Sequence, residues 1–229
     1  MNFLKDILNL FYPEICLCCK NHLTANELDI CISCRNDLPL TNFCSDPNNF
    51  AEKTFFGRIP IEQATSLFYF TKNGKVQQLI HQLKYNNQQQ VGLIIGHWLG
   101  KSIRKSARFN SVDCIIPVPL HFKKQQKRGY NQLTKFGKSL SLELNIPFYE
   151  NILVKNSGTK TQSKKSRIDR WLNVEEVFLV QPNANLANKH ILLIDDIITT
   201  GATLEACYLA LKKCGTIKIS IASMAFTKD

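Results

Sequence analysis

Two adjacent carboxylates stand directly after a short apolar run, where His190-Ile191-Leu192-Leu193-Ile194 leads into Asp195-Asp196. Burying neighbouring acids is costly, because each loses hydration and each repels the other. They are expected to face a polar ligand or a metal rather than a core. Thr199-Thr200-Gly201-Ala202-Thr203 follows, three hydroxyls around one glycine, opening a helix with Leu204, Cys207 and Leu211 on one face. A helix start offers unpaired backbone N–H groups and the positive end of its dipole, and glycine lets the backbone approach a phosphate closely. Ionised Asp only accepts hydrogen bonds, which suits sugar hydroxyls. A capped helix start and an acidic surface turn would each explain one half of this segment. The two halves together specify a sugar phosphate.

The second group able to do chemistry is made of thiols. Cys16-x-x-Cys19 and Cys31-x-x-Cys34 are two pairs on tight knuckles, the spacing of a zinc ribbon. Four soft thiolates favour tetrahedral Zn2+ with no open position, hence a structural site. Cys18 blurs which residue of the first knuckle binds, and Cys44 could substitute. The total of nine cysteines is odd, which fits free or metal-bound thiols in a reducing compartment rather than a disulfide framework. No apolar run approaches the roughly 20 residues that span a bilayer. Residues 2–12 are amphipathic but contain Asp6 and lack a small-residue cleavage site, so they do not read as a signal peptide. A cytoplasmic protein is expected.

The elements that must position these groups show in the apolar spacing. Residues 64–70, 112–118, 152–155, 177–180 and 190–194 read as strands. Between them, Val76, Leu79, Ile80 and Leu83 recur at helical spacing, as do Leu93, Ile94 and Trp98. Asn131 is placed to cap a helix bearing Leu133, Phe136, Leu140 and Leu144. The last helix ends on Lys212, Lys213 and Gly215, as helix C-termini prefer. Alternating strands and helices predict an α/β fold, a mainly parallel sheet with helices on both faces, whose ligands bind at strand carboxyl ends. The cysteine-rich start is divided from this part by the polar stretch 45–53, giving expected domains at 1–50 and 51–229.

A net charge of +11 favours anionic partners, whether phosphorylated small molecules, nucleic acid or acidic membranes. The loop after residues 112–118 runs Lys123-Lys124-Gln125-Gln126-Lys127-Arg128-Gly129-Tyr130-Asn131-Gln132. Following a strand of the same sheet, its cations, Lys127 and Arg128 foremost, are candidates to contact the anionic groups of a bound ligand. A second basic stretch, 160–173, is long and polar for a connection and reads as a flap or an unstructured surface loop.

Together these segments resemble the ComF family of competence-associated, phosphoribosyltransferase-like proteins. The resemblance covers nearly the whole chain: the paired cysteines, Leu83-Lys84-Tyr85, Pro117-Val118-Pro119-Leu120, Arg128-Gly129-Tyr130-Asn131-Gln132, then Thr161-Gln162 with Arg167, Arg170 and Asn173, and finally the segment from Asp195 to Thr203. One departure is Asn86-Asn87, where the family commonly has a basic residue and glycine; Asn tolerates positive φ. The resemblance implies a type I phosphoribosyltransferase fold plus a small zinc-ribbon-like module, and phosphoribosyl pyrophosphate (PRPP) with Mg2+ as ligand. It places Asp195 and Asp196 on the ribose diol, Thr199, Thr200, Gly201, Ala202 and Thr203 around the 5′-phosphate, and Lys127, Arg128 and Arg170 near the pyrophosphate. It implies phosphoribosyl transfer to an unidentified acceptor. The competing reading is a DNA uptake or recombination protein binding single-stranded DNA beside the competence machinery, its PRPP site kept as a sensor or relic.

Overall fold

The structure, a computed structural model, describes residues 13–120, 126, 128–155, 177–182 and 184–228. Among them β1 (Ala64–Phe70), β2 (Cys114–Pro117), β5 (His190–Ile198) and β6 (Lys218–Thr227) form one parallel sheet in the order β1-β6-β5-β2. Its two central strands are largely buried, as a covered parallel sheet demands, with Ile191 to Ile194 and residues 221–225 out of solvent. The sequence reading stopped at Gly215 and missed β6. The other correction concerns β3 (Leu153–Lys155) and β4 (Phe178–Val180), expected in the main sheet, which instead pair antiparallel as a separate two-stranded unit.

Helices α3 (Lys75–Tyr85), α4 (Gln90–Lys105) and α5 (Leu133–Leu144) supply one covering layer, and α6 (Ala202–Lys212) packs against β4. Val76, Leu79, Ile80 and Leu83 are all buried, as their helical spacing predicts. α4 and α5 approach unusually closely: a Cβ on Gly96 would lie 2.6 Å from Ser139 Cβ and 2.7 Å from Phe136 O. The Asn131 side chain accepts from the Leu133 N–H at 3.0 Å, one residue before the α5 cap position, which is Gln132 rather than the expected Asn131.

The cysteine-rich start contains α1 (Ile32–Asp37), capped by Cys31, and then runs along the open edge of the sheet. Thr41 N–H donates to Leu67 O at 3.0 Å and Tyr69 N–H to Pro39 O at 2.8 Å, which closes the β1 edge against pairing with another chain. The polar stretch after it is tied down. It holds α2 (Phe50–Lys53), whose cap Asn49 is buried and donates to Phe43 O, Asp46 O and Ala64 O. No helix among the described residues is long and apolar enough to cross a membrane.

Candidate functional site

β5 carries Asp195 and Asp196 at its carboxyl end, where successive side chains face opposite sides of the sheet. Asp196 is buried, its Oδ2 accepting from Gln132 Nε2 at 2.9 Å and pairing with Lys84 Nζ at 2.7 Å. Gln132 Oε1 in turn accepts from Arg128 Nη1 at 2.8 Å, and the Arg128 guanidinium lies 5.2 Å from the centre of the Tyr85 ring. One hydrogen-bonded chain thus joins α3, the end of the basic loop and the acid pair. Asp195 turns back on its own strand, its Oδ1 accepting from the Asp196 N–H at 2.8 Å.

Burial first, and the adjacent Asp196 carboxylate second, push Asp195 up to about 8. A raised folded-state value means that the folded protein holds more protons than the unfolded chain between the two pKa values. Stability from this group is therefore fully present below about pH 4 and is lost as pH rises towards 8. The ligand-free protein is expected to melt at progressively lower temperature across that window, and Asp195→Asn to flatten the trend. Parallel slopes in the two proteins would contradict this environment for Asp195.

Directly after β5, Thr199 and Thr200 are exposed and Gly201, at φ 72° and ψ 0°, turns the chain into α6. Ala202 and Thr203, in the first turn, are exposed as well. The left-handed φ suits glycine. Space demands it too, since a Cβ at this position would meet Phe55 Cε1 at 2.6 Å. The five residues surround an open helix N-terminus: the α6 cap carries no side-chain hydrogen bond, and the Ala202 N–H makes only a long contact, 3.5 Å, to Thr200 Oγ1.

Beside the acids, Lys84, Tyr85, Asn87, Gln89, Arg128, Gly129 and Tyr130 line an open cavity of about 750 Å³. The Tyr130 hydroxyl donates to Leu83 O, which fixes the loop's return to α3. Asn87 takes φ 55°, the positive angle for which Asn was expected to stand in for glycine. Lys84 and Gln132 were quoted in the sequence only within motifs, and their contact with Asp196 spans 64 residues in the case of Gln132. Lys127, Arg170 and residues 160–173 lie outside the described residues.

The Sγ atoms of Cys16, Cys19, Cys31 and Cys34 all lie within 4.8 Å of one another. A tetrahedral zinc with bonds of about 2.3 Å needs sulfurs roughly 3.8 Å apart. The Cys19 and Cys31 sulfurs are 3.8 Å apart. Cys16 Sγ accepts from the N–H groups of Cys18 at 3.4 Å and Cys31 at 3.3 Å, and Cys31 Sγ from that of Cys34 at 3.4 Å. Burial works to raise the Cys16 thiol, but the N–H donors of Cys31, Cys19 and Cys18 outweigh it and bring it down to about 6. This donor set fits a thiolate-bound metal ion. Cys44 lies elsewhere, its Sγ 3.2 Å from Thr65 Oγ1.

Residues 126–228 match the family described as phosphoribosyl transferase domain. Over 224 residues the chain is 26% identical to competence protein F of Haemophilus influenzae, covering 94% of this chain and 98% of that protein. It is 23% identical to the DNA utilization protein YhgH of Escherichia coli, covering 93% of this chain and 96% of that one. Among solved structures, the glutamine PRPP amidotransferase of B. subtilis superposes with a TM-score of 0.42 at 17% identity, covering 62% of this chain and 30% of that one. The order of motifs, the parallel sheet ending in an acid pair, and near full-length similarity to competence proteins agree. These findings support the resemblance to the ComF family, with a phosphoribosyltransferase-type domain behind the cysteine cluster.

Proposed function

We propose that the chain binds PRPP at the carboxyl end of β5 and transfers its phosphoribosyl group to an acceptor with release of Mg-pyrophosphate. The observation that carries this reading is the acid pair on a central strand, followed at once by a glycine-opened helix with exposed threonines. Asp195 and Asp196 accept from the ribose hydroxyls, and Thr199, Thr200, Gly201, Ala202 and Thr203 wrap the 5′-phosphate. Arg128 is assigned to the pyrophosphate, as are Lys127 and Arg170 from the family resemblance. As the bond from ribose C1 to pyrophosphate breaks, C1 gains oxocarbenium character, and these cations offset the charge collecting on the leaving group. An acceptor nitrogen then attacks C1. Mg2+ arrives with PRPP as part of the substrate. Cys16, Cys19, Cys31 and Cys34 hold a structural Zn2+, and thiolate ligands suit the reducing cytoplasm.

Pyrophosphate release on adding nucleobases or amines to protein and PRPP tests the reading, and binding without turnover would sink its transfer step. A narrower result is expected from Arg128→Ala and from Arg170→Ala. Each removes a cation that only pyrophosphate-bearing ligands reach, so PRPP affinity should fall about tenfold or more while that of ribose 5-phosphate changes little. Equal losses for the two ligands would point to a folding defect.

A second reading is favoured by the names of the relatives, competence protein F and DNA utilization protein, and by the net charge of +11. In it, the protein binds single-stranded DNA beside the competence machinery and PRPP acts as a signal. PRPP binding without turnover, together with a single-strand affinity that falls steeply with salt, would favour it.

A further inference from the structure

One residue outside the phosphate loop reaches it twice. Arg58 stands 142 residues before Thr200, yet its Nη1 donates to Thr200 O at 2.5 Å, and its Nη2 donates to Glu205 Oε2 in an ion pair. Glu205 sits in the first turn of α6, and its N–H donates to Gly201 O at 3.0 Å. A carboxylate there suits the helix dipole, but it also repels any phosphate docking on the same helix start. Arg58 offsets that charge and occupies the Thr200 carbonyl, which would otherwise add its own negative end to the cradle.

The segment that carries Arg58 is well held. Arg58 N–H donates to Phe55 O at 3.0 Å, and the Phe55 ring fills the space over Gly201. Upstream, Glu52 pairs with Arg108, whose Nη1 also donates to Asp46 O at 3.0 Å, while Asn49 ties three carbonyls. The strap between the cysteine cluster and the sheet is therefore anchored at several points, and it presents one guanidinium to the loop.

We propose that Arg58 is a positioning residue for anionic sugar phosphates: it holds the Thr200 backbone and neutralises Glu205, so that the loop accepts a 5′-phosphate. The inference rests on the reading of residues 199–203 as a phosphate cradle. The test is titration calorimetry of the full chain with ribose 5-phosphate and with PRPP, beside thermal melts. Arg58→Ala is expected to weaken both ligands by the same factor, about tenfold, because both present the 5′-phosphate. Glu205→Gln tightens binding, and Arg58→Ala with Glu205→Gln recovers a large part of the loss, which a merely structural arginine would not allow. Arg58→Lys keeps the charge without the fork and falls between wild type and Arg58→Ala, so the measurement stands even where the alanine variant folds poorly. Wild-type binding of ribose 5-phosphate with Arg58→Ala within twofold of it would overturn the proposal while leaving the cradle intact. Absence of recovery in the double variant would overturn the neutralising role. Wild type binding neither ligand would bring down the cradle itself, and this inference with it.

Discussion

Above about pH 8, where Asp195 is ionised, replacing Asp195 and Asp196 together by Asn is expected to lower PRPP affinity by about a hundredfold or more, since charge-assisted hydrogen bonds contribute roughly 1.5–3 kcal/mol each and about 1.4 kcal/mol is tenfold. The effect on the ligand-free protein divides between the two positions. At Asp195, burial and the neighbouring carboxylate oppose the charge, so Asn relieves repulsion and the single variant should melt higher than wild type near pH 8. At Asp196, Asn strips Lys84 of the carboxylate 2.7 Å away while the lysine side chain stays largely covered, at 19% exposure. Leaving such a cation unpaired is destabilising, so this single variant should melt lower. The double variant sums opposing terms and should melt near wild type. Calorimetric titration with PRPP beside thermal melts reads both effects. An unchanged PRPP affinity would place the ligand elsewhere, and a double variant that fails to fold would make the pair structural.

Cys31→Ser should have the largest effect on folding. Cys31 caps α1, its N–H donates to Cys16 Sγ, its own sulfur accepts from the Cys34 N–H, and it completes the four-sulfur cluster. Zinc in such closed sites contributes roughly 10 kcal/mol or more to the fold around it. Purified wild type is expected to carry about one zinc per chain. Cys31→Ser should carry none and expose residues 13–41 to protease. Cys44→Ser should keep its metal, because that sulfur sits against Thr65 rather than the cluster. Elemental analysis with limited proteolysis checks all three, and a metal-free wild type that is fully folded would defeat the assignment.

The glycine-opened helix start after the acid pair and the cysteine cluster were legible because each is compact in sequence, with residue type and spacing setting the local structure directly. What was missed depends on distant partners. β6 reads Lys-Ile-Ser-Ile-Ala-Ser-Met-Ala-Phe-Thr, without the alternation of a half-exposed strand. Its serines look like surface residues, yet both are buried: Ser220 Oγ lies 2.8 Å from His190 Nε2, and Ser223 Oγ lies 2.6 Å from Ser66 Oγ. β3 and β4 were found but assigned to the wrong sheet, since three residues do not say which strand they will pair with. The stretch 45–53 carried a legible signal that went unread, Asn49 followed three residues later by Glu52. Asn49 Oδ1 accepts from the Glu52 N–H at 3.1 Å and Glu52 Oε2 accepts from the Asn48 N–H at 2.7 Å, close to a capping box. No local pattern could have linked Arg58 to Thr200 or Lys84 to Asp196, because those contacts exist only once the sheet has assembled.

The position of β5 between β6 and β2 has a consequence for how the protein breathes. A strand hydrogen-bonded on both sides opens only when the sheet itself does, so its amides should exchange with solvent near the global unfolding rate. The exposed residues of the α6 start lie at the surface and should exchange far sooner. The acids thus ride on the slowest-opening part of the molecule and the proposed phosphate loop on a faster one. A ligand that bridges them would slow exchange in the loop and leave β5 almost unchanged.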